Sequence, residues 1–236
     1  MRLSVVIPAY NEASRIQRTL DELTGSAGSA LVSEVIVVDD GSRDGTPERV
    51  EAFAAARSAP ARLRVIRSVA HRGKGACVRD GMLAASGEAI LMTDADLSAP
   101  LSEINKLLPW IDAGYDVVIG SRRMPDSVLD PPQPLRRRMM ERTFRALRRR
   151  ILLPDIFDTQ CGFKLFTRRA ARSVFPDVRT EGFAFDCEAL QLAQGRGFRI
   201  REVGIIWRND PDSRVRTVRD SLSVLADLWR LRFRRD

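Results

Sequence analysis

The sequence predicts an α/β protein with a mixed, mostly parallel sheet flanked by helices. Three observations carry that prediction: short runs of apolar, largely β-branched residues, helical segments between them, and a polar motif directly after most of the runs. Strands of a parallel sheet are buried on both faces, so they read as near-continuous hydrophobic runs. Such runs alternating with helices of about 10 to 15 residues imply βαβ units.

The elements follow in order along the first half. Leu3–Ile7 is the first run and Ala13–Thr24 the first helical candidate; Val35–Val38 precedes Thr46–Arg57, and Leu63–Ile66 precedes Lys74–Ala85. Ala89–Met92 then leads to Leu101–Ala113, and Asp116–Ile119 is the fifth run. Ligands of such sheets bind beyond the carboxyl ends of the strands. Those ends carry Pro8-Ala9-Tyr10-Asn11-Glu12, Asp39-Asp40-Gly41-Ser42, Asp94-Ala95-Asp96 and Gly120-Ser121-Arg122. Each also has a plain structural reading, with Asn11 or Ser14 as a helix cap and Asp40-Gly41-Ser42 as a turn. Four polar strand ends on one rim favour a ligand site. The first strand runs into Pro-Ala-Tyr-Asn rather than G-x-G-x-x-G, and no G-x-x-x-x-G-K-[ST] occurs, so neither phosphate-binding loop is present.

Composition bounds the rest. The chain has 236 residues, 44% of them hydrophobic, enough for a sizeable core in a single domain. A net charge of +8 suggests an anionic partner: a nucleotide, a nucleic acid or an acidic membrane surface. Cys77, Cys161 and Cys187 are widely spaced and form no C-x-x-C pair, which indicates neither a disulfide framework nor a zinc site. The opening apolar run is too short for a signal peptide, and no stretch approaches the roughly 18 apolar residues of a membrane span. The expectation is a soluble or peripheral protein in a reducing cytoplasm.

Asp94 and Asp96, one residue apart at the end of an apolar run, make a compact site for a hard cation. Mg²⁺ is held by one or two carboxylates plus substrate phosphates, and Mn²⁺ also favours carboxylate oxygen. A solvated acidic turn is the plain alternative. The lysines add a smaller argument. Of 39 basic residues only Lys74, Lys106 and Lys164 are lysine, and Lys74 stands between glycines while Lys164 follows Gly162-Phe163. A lysine kept in an arginine-rich chain hints at a need for a compact ammonium, against chance placement in basic loops. Lys74 is thereby a candidate for a phosphate or sugar contact. His71 is read as a loop residue with no metal role.

Together, Val5-Val6-Ile7-Pro8-Ala9-Tyr10-Asn11-Glu12, Val37-Val38-Asp39-Asp40-Gly41-Ser42-Arg43-Asp44-Gly45-Thr46 and Asp94-Ala95-Asp96 resemble the family 2 glycosyltransferases of GT-A fold. Asp158-Thr159-Gln160-Cys161-Gly162-Phe163-Lys164-Leu165-Phe166 and Glu181-Gly182-Phe183-Ala184-Phe185-Asp186-Cys187-Glu188 resemble the dolichyl-phosphate glucosyltransferase branch, and the dolichyl-phosphate mannosyltransferases share much of that pattern. The resemblance implies a nucleotide-sugar-binding half at 1–125, an acceptor half at 126–212 and a basic amphipathic helix at 213–236. It implies transfer of a hexose, with inversion, from a nucleotide sugar to a polyprenyl phosphate with Mg²⁺ or Mn²⁺. UDP-glucose is the favoured donor and GDP-mannose the alternative.

The implied donor site comprises Pro8, Tyr10 and Glu12 around base and ribose, Val38, Asp39 and Asp40 at the second strand end, and Lys74, Asp94, Ala95, Asp96 and Arg214. Asp39 could accept a hydrogen bond from the uracil imide or a guanine edge. Asp96 is the expected direct metal ligand, with Asp94 beside it. Arg122 would contact the acceptor phosphate or donor diphosphate, with Arg123 a solvated neighbour, and Gln160, Lys164 and Asp186 complete the acceptor site. The loop before Arg214 lacks the glycine usual near Pro211-Asp212. A hydroxyl acceptor needs a carboxylate base, for which Asp186 and Glu188 are candidates. A phosphate monoester, with a second pKa of about 6, needs none. Orientation of the sugar or of the metal shell is therefore the expected role of Asp186.

Two segments concentrate the positive charge. Leu135–Arg150 holds eight arginines against Glu141, with Met139, Met140, Phe144 and Leu147 interleaved; seven more arginines fall in Arg214–Asp236. On helices these patterns suit an anionic membrane interface, at the cytoplasmic face, although the last could instead dock on the domain. A specific nucleic-acid binder is disfavoured, because the cations lack interleaved stacking aromatics. A soluble enzyme glycosylating a metabolite hydroxyl stays open. A polymerising synthase is disfavoured by the lack of membrane helices. The charge-dominated surface gives no oligomeric state.

Overall fold

The computed structural model describes residues 1–25, 31–56, 62–130 and 153–208. The basic stretch Leu135–Arg150, Arg214 and the 213–236 segment lie outside the described residues.

A seven-stranded sheet forms the centre. Its strands in chain order are β1 (Leu3–Ala9), β2 (Val32–Asp39), β3 (Arg62–Arg67), β4 (Ala89–Thr93), β5 (Val117–Ser121), β7 (Phe163–Thr167) and β8 (Ile200–Gly204), arranged β3-β2-β1-β4-β7-β5-β8. Two short strands, β6 (Val128–Asp130) and β9 (Ile206–Arg208), pair in parallel beside it. All pairings in the main sheet are parallel except those of β7, which runs antiparallel to both β4 and β5. The expectation of a mixed, mostly parallel sheet is met. The inserted β7 comes from the second half of the chain, where the apolar runs of the first half do not reach.

Side-chain alternation divides the core into two layers, as a sheet covered on both faces requires. Val5 and Ile7 of β1 face one cluster with Ile16, Leu20 and Leu23 of α1 (Ile16–Thr24) and Val50 and Phe53 of α2 (Thr46–Ala56). Val6, between them, faces the other cluster with Cys77, Val78 and Met82 of α3 (Lys74–Ala84). The first layer also takes α4 (Ile104–Asp112), entered through a 3₁₀ turn at Leu101–Glu103; the second takes α5 (Arg168–Val174) and α6 (Phe185–Gly195). The three cysteines are buried and free.

Two boundaries differ from the sequence expectation for physical reasons. β1 continues through Pro8, a residue that central strands normally exclude because it cannot donate to the ladder. Pairing of β1 with β4 stops at Val6↔Met92, so Pro8 extends past its neighbour on that side. α1 begins at Ile16 rather than Ala13, with neither Asn11 nor Ser14 as its cap. Asn11 has φ 56, and its N–H and that of Glu12 donate across to Ser42 Oγ and Thr46 Oγ1, both at 2.8 Å. Those bonds spend the residues on bracing the ends of β1 and β2.

Candidate active site

The carboxyl ends of β1, β2, β4 and β5 meet on one rim, at the point where strand order reverses between β1 and β4. Because β7 is antiparallel, its beginning rather than its end lies on that rim. The Asp158–Gly162 motif is thereby delivered to the same place as Asp94-Ala95-Asp96.

The Asp94–Leu97 turn sets the two carboxylates. The Ala95 carbonyl accepts the Thr19 hydroxyl of α1 at 2.6 Å, and Leu97 N–H donates to Asp94 O. Leu97 has φ 46, a conformation that costs a branched residue about 1 kcal/mol or more and that clusters at functional sites. Gly162 permits the approach of the acceptor motif: a Cβ there would lie 1.9 Å from Asp94 Oδ2. Asp96 Oδ1 accepts Ser98 N–H at 2.9 Å, and burial and the charge of Asp94 raise its carboxyl above the ordinary aspartate value.

Lys74 supplies the positive charge beside this pair, its Nζ 2.6 Å from Asp94 Oδ1. It is the first residue of α3, where the helix dipole disfavours a cation. Burial would lower its pKa, but Asp94 and Asp186 outweigh burial and hold it above the usual lysine range. A cation at a helix N-terminus is explained by what it faces.

A layer below, Lys164 of β7 is 1% exposed, and its ammonium bonds to Asp186 Oδ1 and, at 2.5 Å, to Cys161 O. Burial raises the carboxyl of Asp186 despite both lysines. Lys164 is thus buried against Asp186 and the Cys161 carbonyl, with its ammonium shielded from solvent. Glu188 accepts the N–H groups of Arg179 and Thr180 at 3.0 and 2.7 Å, both through Oε2, which ties that oxygen to the 179–180 backbone.

Arg122, after β5, donates through Nε and Nη2 to both oxygens of Asp158 at 2.8 Å and lies over the Trp207 ring. Burial opposes ionisation of Asp158, but Arg122 overrides it and holds the carboxyl well below the ordinary range. The guanidinium reaches the rim already oriented. Gln160 sits half-buried in the turn before β7.

At the donor end, Asp39 is 2% exposed; its Oδ2 accepts Gly41 and Ser42 N–H at 3.1 Å, while Oδ1 has no partner among the described residues. A buried acceptor without a donor costs about 1–3 kcal/mol, which suits an atom reserved for a ligand N–H. Tyr10, 40% exposed, stacks on His71 with centroids 4.2 Å apart. His71 Nδ1 is 2.8 Å from Asp40 Oδ2. The sequence reading passed over this pair; the only available signal was the proximity of His71 to the glycine-flanked Lys74. Three expected donor residues are otherwise engaged. Val38 packs in the core beneath α3, the oxygens of Asp40 are taken by the 71–73 loop, and the Glu12 carboxylate forks onto Arg15 at 2.7 Å.

The donor set fits Mg²⁺ or Mn²⁺. Asp94 and Asp96 offer only hard oxygen ligands, and burial together with the charge of Asp94 raises the carboxyl of Asp96. No group of three or more His, Cys, Asp or Glu side chains among the described residues could hold a metal ion by itself. The remaining ligands would then be diphosphate oxygens and water.

An acidic pair, a paired lysine and a buried carboxylate oxygen without a partner among the described residues thus gather at the switch point of an α/β sheet, where such folds bind their ligands. Residues 4–175 match the family described as "Glycosyl transferase family 2", and the chain belongs to that family. It is a hexosyltransferase of GT-A fold. Among its relatives, dolichyl-phosphate beta-glucosyltransferase from Dictyostelium discoideum is 34% identical over 98% of this chain and 74% of that protein. The human protein of the same description is 34% identical over 99% and 75%. Glycosyltransferase AglD from Haloferax volcanii is 36% identical over 99% of this chain but only 38% of its own length.

Solved structures confirm the fold. A mannosyltransferase from Pyrobaculum calidifontis in complex with GDP-Man and Mn²⁺ superposes with a TM-score of 0.68 at 22% identity, covering all of this chain and 65% of that one. Glucosyl-3-phosphoglycerate synthase from Mycobacterium tuberculosis, with Mn²⁺, UDP and phosphoglyceric acid, gives 0.67 at 22%, covering all of this chain and 80% of that one. No helix among the described residues is long and apolar enough to cross a membrane.

Proposed function

We propose that the protein transfers glucose, with inversion, from UDP-glucose to a polyprenyl phosphate in a reaction that depends on Mg²⁺ or Mn²⁺. The observation that carries this reading is the state of its candidate bases. Asp186 is tied to Lys164, and Oε2 of Glu188 to the 179–180 backbone, so both carboxylates already serve the protein's own groups. A phosphate acceptor arrives with its nucleophilic charge in place and needs positioning by cations instead. Similarity to dolichyl-phosphate beta-glucosyltransferases over nearly the whole chain supports the same acceptor class and sugar.

The donor's uracil imide donates to Asp39 Oδ1, and Tyr10 covers the base. Asp94 and Asp96 would hold the metal, which would supply Lewis acidity to the leaving nucleoside diphosphate. Lys74 adds a compact positive charge there, and Arg122, fixed by Asp158, meets the acceptor phosphate. The arginine-rich stretches supply peripheral attachment to the anionic cytoplasmic face of a membrane, each residue contributing about 1 kcal/mol.

The test is transfer of radiolabelled hexose from UDP-glucose, with GDP-mannose in parallel, to a short polyprenyl phosphate with Mg²⁺ or Mn²⁺. Chloroform-extractable product from UDP-glucose alone is the expected result. Product from GDP-mannose would replace the sugar. Donor hydrolysis without lipid product would redirect the acceptor to a soluble hydroxyl.

A further inference from the structure

The Gly73-Lys74-Gly75 turn is gripped from two sides. From the donor side, Asp40, 3% exposed, accepts Arg72 N–H at 2.8 Å and Gly73 N–H at 2.9 Å and holds His71 Nδ1. From the acceptor side, Glu188 fixes the N–H groups of Arg179 and Thr180, and the next carbonyl, that of Glu181, accepts Gly75 N–H at 2.7 Å. That bond takes the place of a side-chain cap, which α3 lacks. Gly73 is required between the two grips: its φ is 118, and a Cβ would lie 2.4 Å from the Glu181 carbonyl. Neither carboxylate reaches toward the strand-end carboxylates. Both spend their charge on backbone N–H groups, the strong class of hydrogen bond, flanking the one lysine that does reach Asp94.

We propose that Asp40 and Glu188 are positioning residues that together set the Lys74 ammonium against Asp94, so that the base-binding and acceptor-side loops jointly fix one cation in the site. The inference rests on the reading of Asp94 and Lys74 as donor-site residues, but its test does not require a known donor. Breaking either grip should free Lys74 while leaving the core intact. With three lysines in the whole chain, amine labelling followed by mass spectrometry reads each one separately. Lys106, whose side chain is 44% exposed, serves as the reference for an open amine, and the buried Lys164 reports global loosening.

In Asp40→Asn and in Glu188→Gln, Lys74 labelling relative to Lys106 is expected to rise by about fivefold or more, as local opening predicts, with Lys164 unchanged. Unchanged Lys74 labelling in either variant, or a rise matched at Lys164, would overturn the joint role proposed. A second readout uses turnover. Asp40→Asn should lower kcat/KM in the native background but have little further effect in Lys74→Met, and additive losses would argue against action through Lys74. Absence of hexosyl transfer by the unaltered protein would count against the proposed function, and the labelling ratios would still decide the positioning role.

Discussion

Lys164→Met tests the deepest electrostatic feature of the site. The substitution keeps an unbranched side chain in β7 but removes the ammonium that bonds to Asp186 and the Cys161 carbonyl, leaving a carboxylate 4% exposed beside an acceptor that has lost its donor. Removing one member of a buried pair costs about 3–5 kcal/mol, because the remaining charge stays desolvated. For a chain of this size 1 kcal/mol shifts Tm by about 2–4 °C, so the loss should be roughly 6–20 °C. Replacing both members by apolar residues, as in Lys164→Met with Asp186→Leu, should recover most of it, since a packed apolar pair is often as stable as the ion pair. Thermal unfolding followed by circular dichroism at neutral pH measures both. A single variant within about 3 °C of the parent, or a double variant no better than the single, would refute the argument. The recovered double variant is expected to be folded but inactive in hexosyl transfer.

Other expectations follow from the same geometry. Asp96→Ala should leave Tm nearly unchanged and reduce metal-dependent turnover by about a hundredfold or more, the several kcal/mol attributable to a Lewis acid; normal activity would remove Asp96 from the metal site. Gly162→Ala places a methyl 1.9 Å from Asp94 Oδ2, so Asp94 must move, and donor binding measured by calorimetry should fall about tenfold or more while the fold persists. Asp158→Asn should destabilise by about 3 kcal/mol at neutral pH. The folded pKa of Asp158 lies below its unfolded value, so this stabilisation is present above the ordinary aspartate pKa and lost as pH falls toward the lowered one. The Tm gap between parent and variant should therefore hold down to about pH 4 and close below it; a gap closing near pH 6 would contradict the Arg122–Asp158 assignment.

The parts of the fold legible in the sequence are those decided locally. The apolar runs of β1 to β5 and the helices between them follow from patterns of a few residues, and the strand-end motifs followed with them. The start of α1 moved through tertiary bonds: Ala13 N–H turns to Asp44, while Asn11 and Glu12 N–H turn to Ser42 and Thr46. β7 was not legible as a strand because its run, Phe163–Phe166, contains a charged lysine whose burial depends on Asp186, 22 residues later. The site divides the same way. Asp39, Asp94 and Asp96 stand at strand ends and were named by position, whereas the pairing of Lys74 with Asp94 crosses from a helix start to a strand end. The engagement of Asp40, Glu188 and Lys164 with their own protein could be read only after those elements were assembled.

The antiparallel strand β7 also dictates when the middle of the sheet can first close during synthesis. β4 and β5 are complete by Ser121, yet each needs β7 as its partner, and β7 ends at Thr167. Until the chain through Thr167 has left the ribosome, two apolar strands present facing edges with open backbone hydrogen bonds, an arrangement prone to intermolecular pairing. When β7 slots between them it closes both edges at once and carries in Lys164 and Gly162, the residues that support Asp186 and make room for Asp94. Closure of that gap and delivery of Gly162 beside Asp94 therefore come together, before α6 brings Asp186 and β8 covers the far edge of β5. A chain truncated before Phe163 should aggregate rather than survive as a donor-binding fragment.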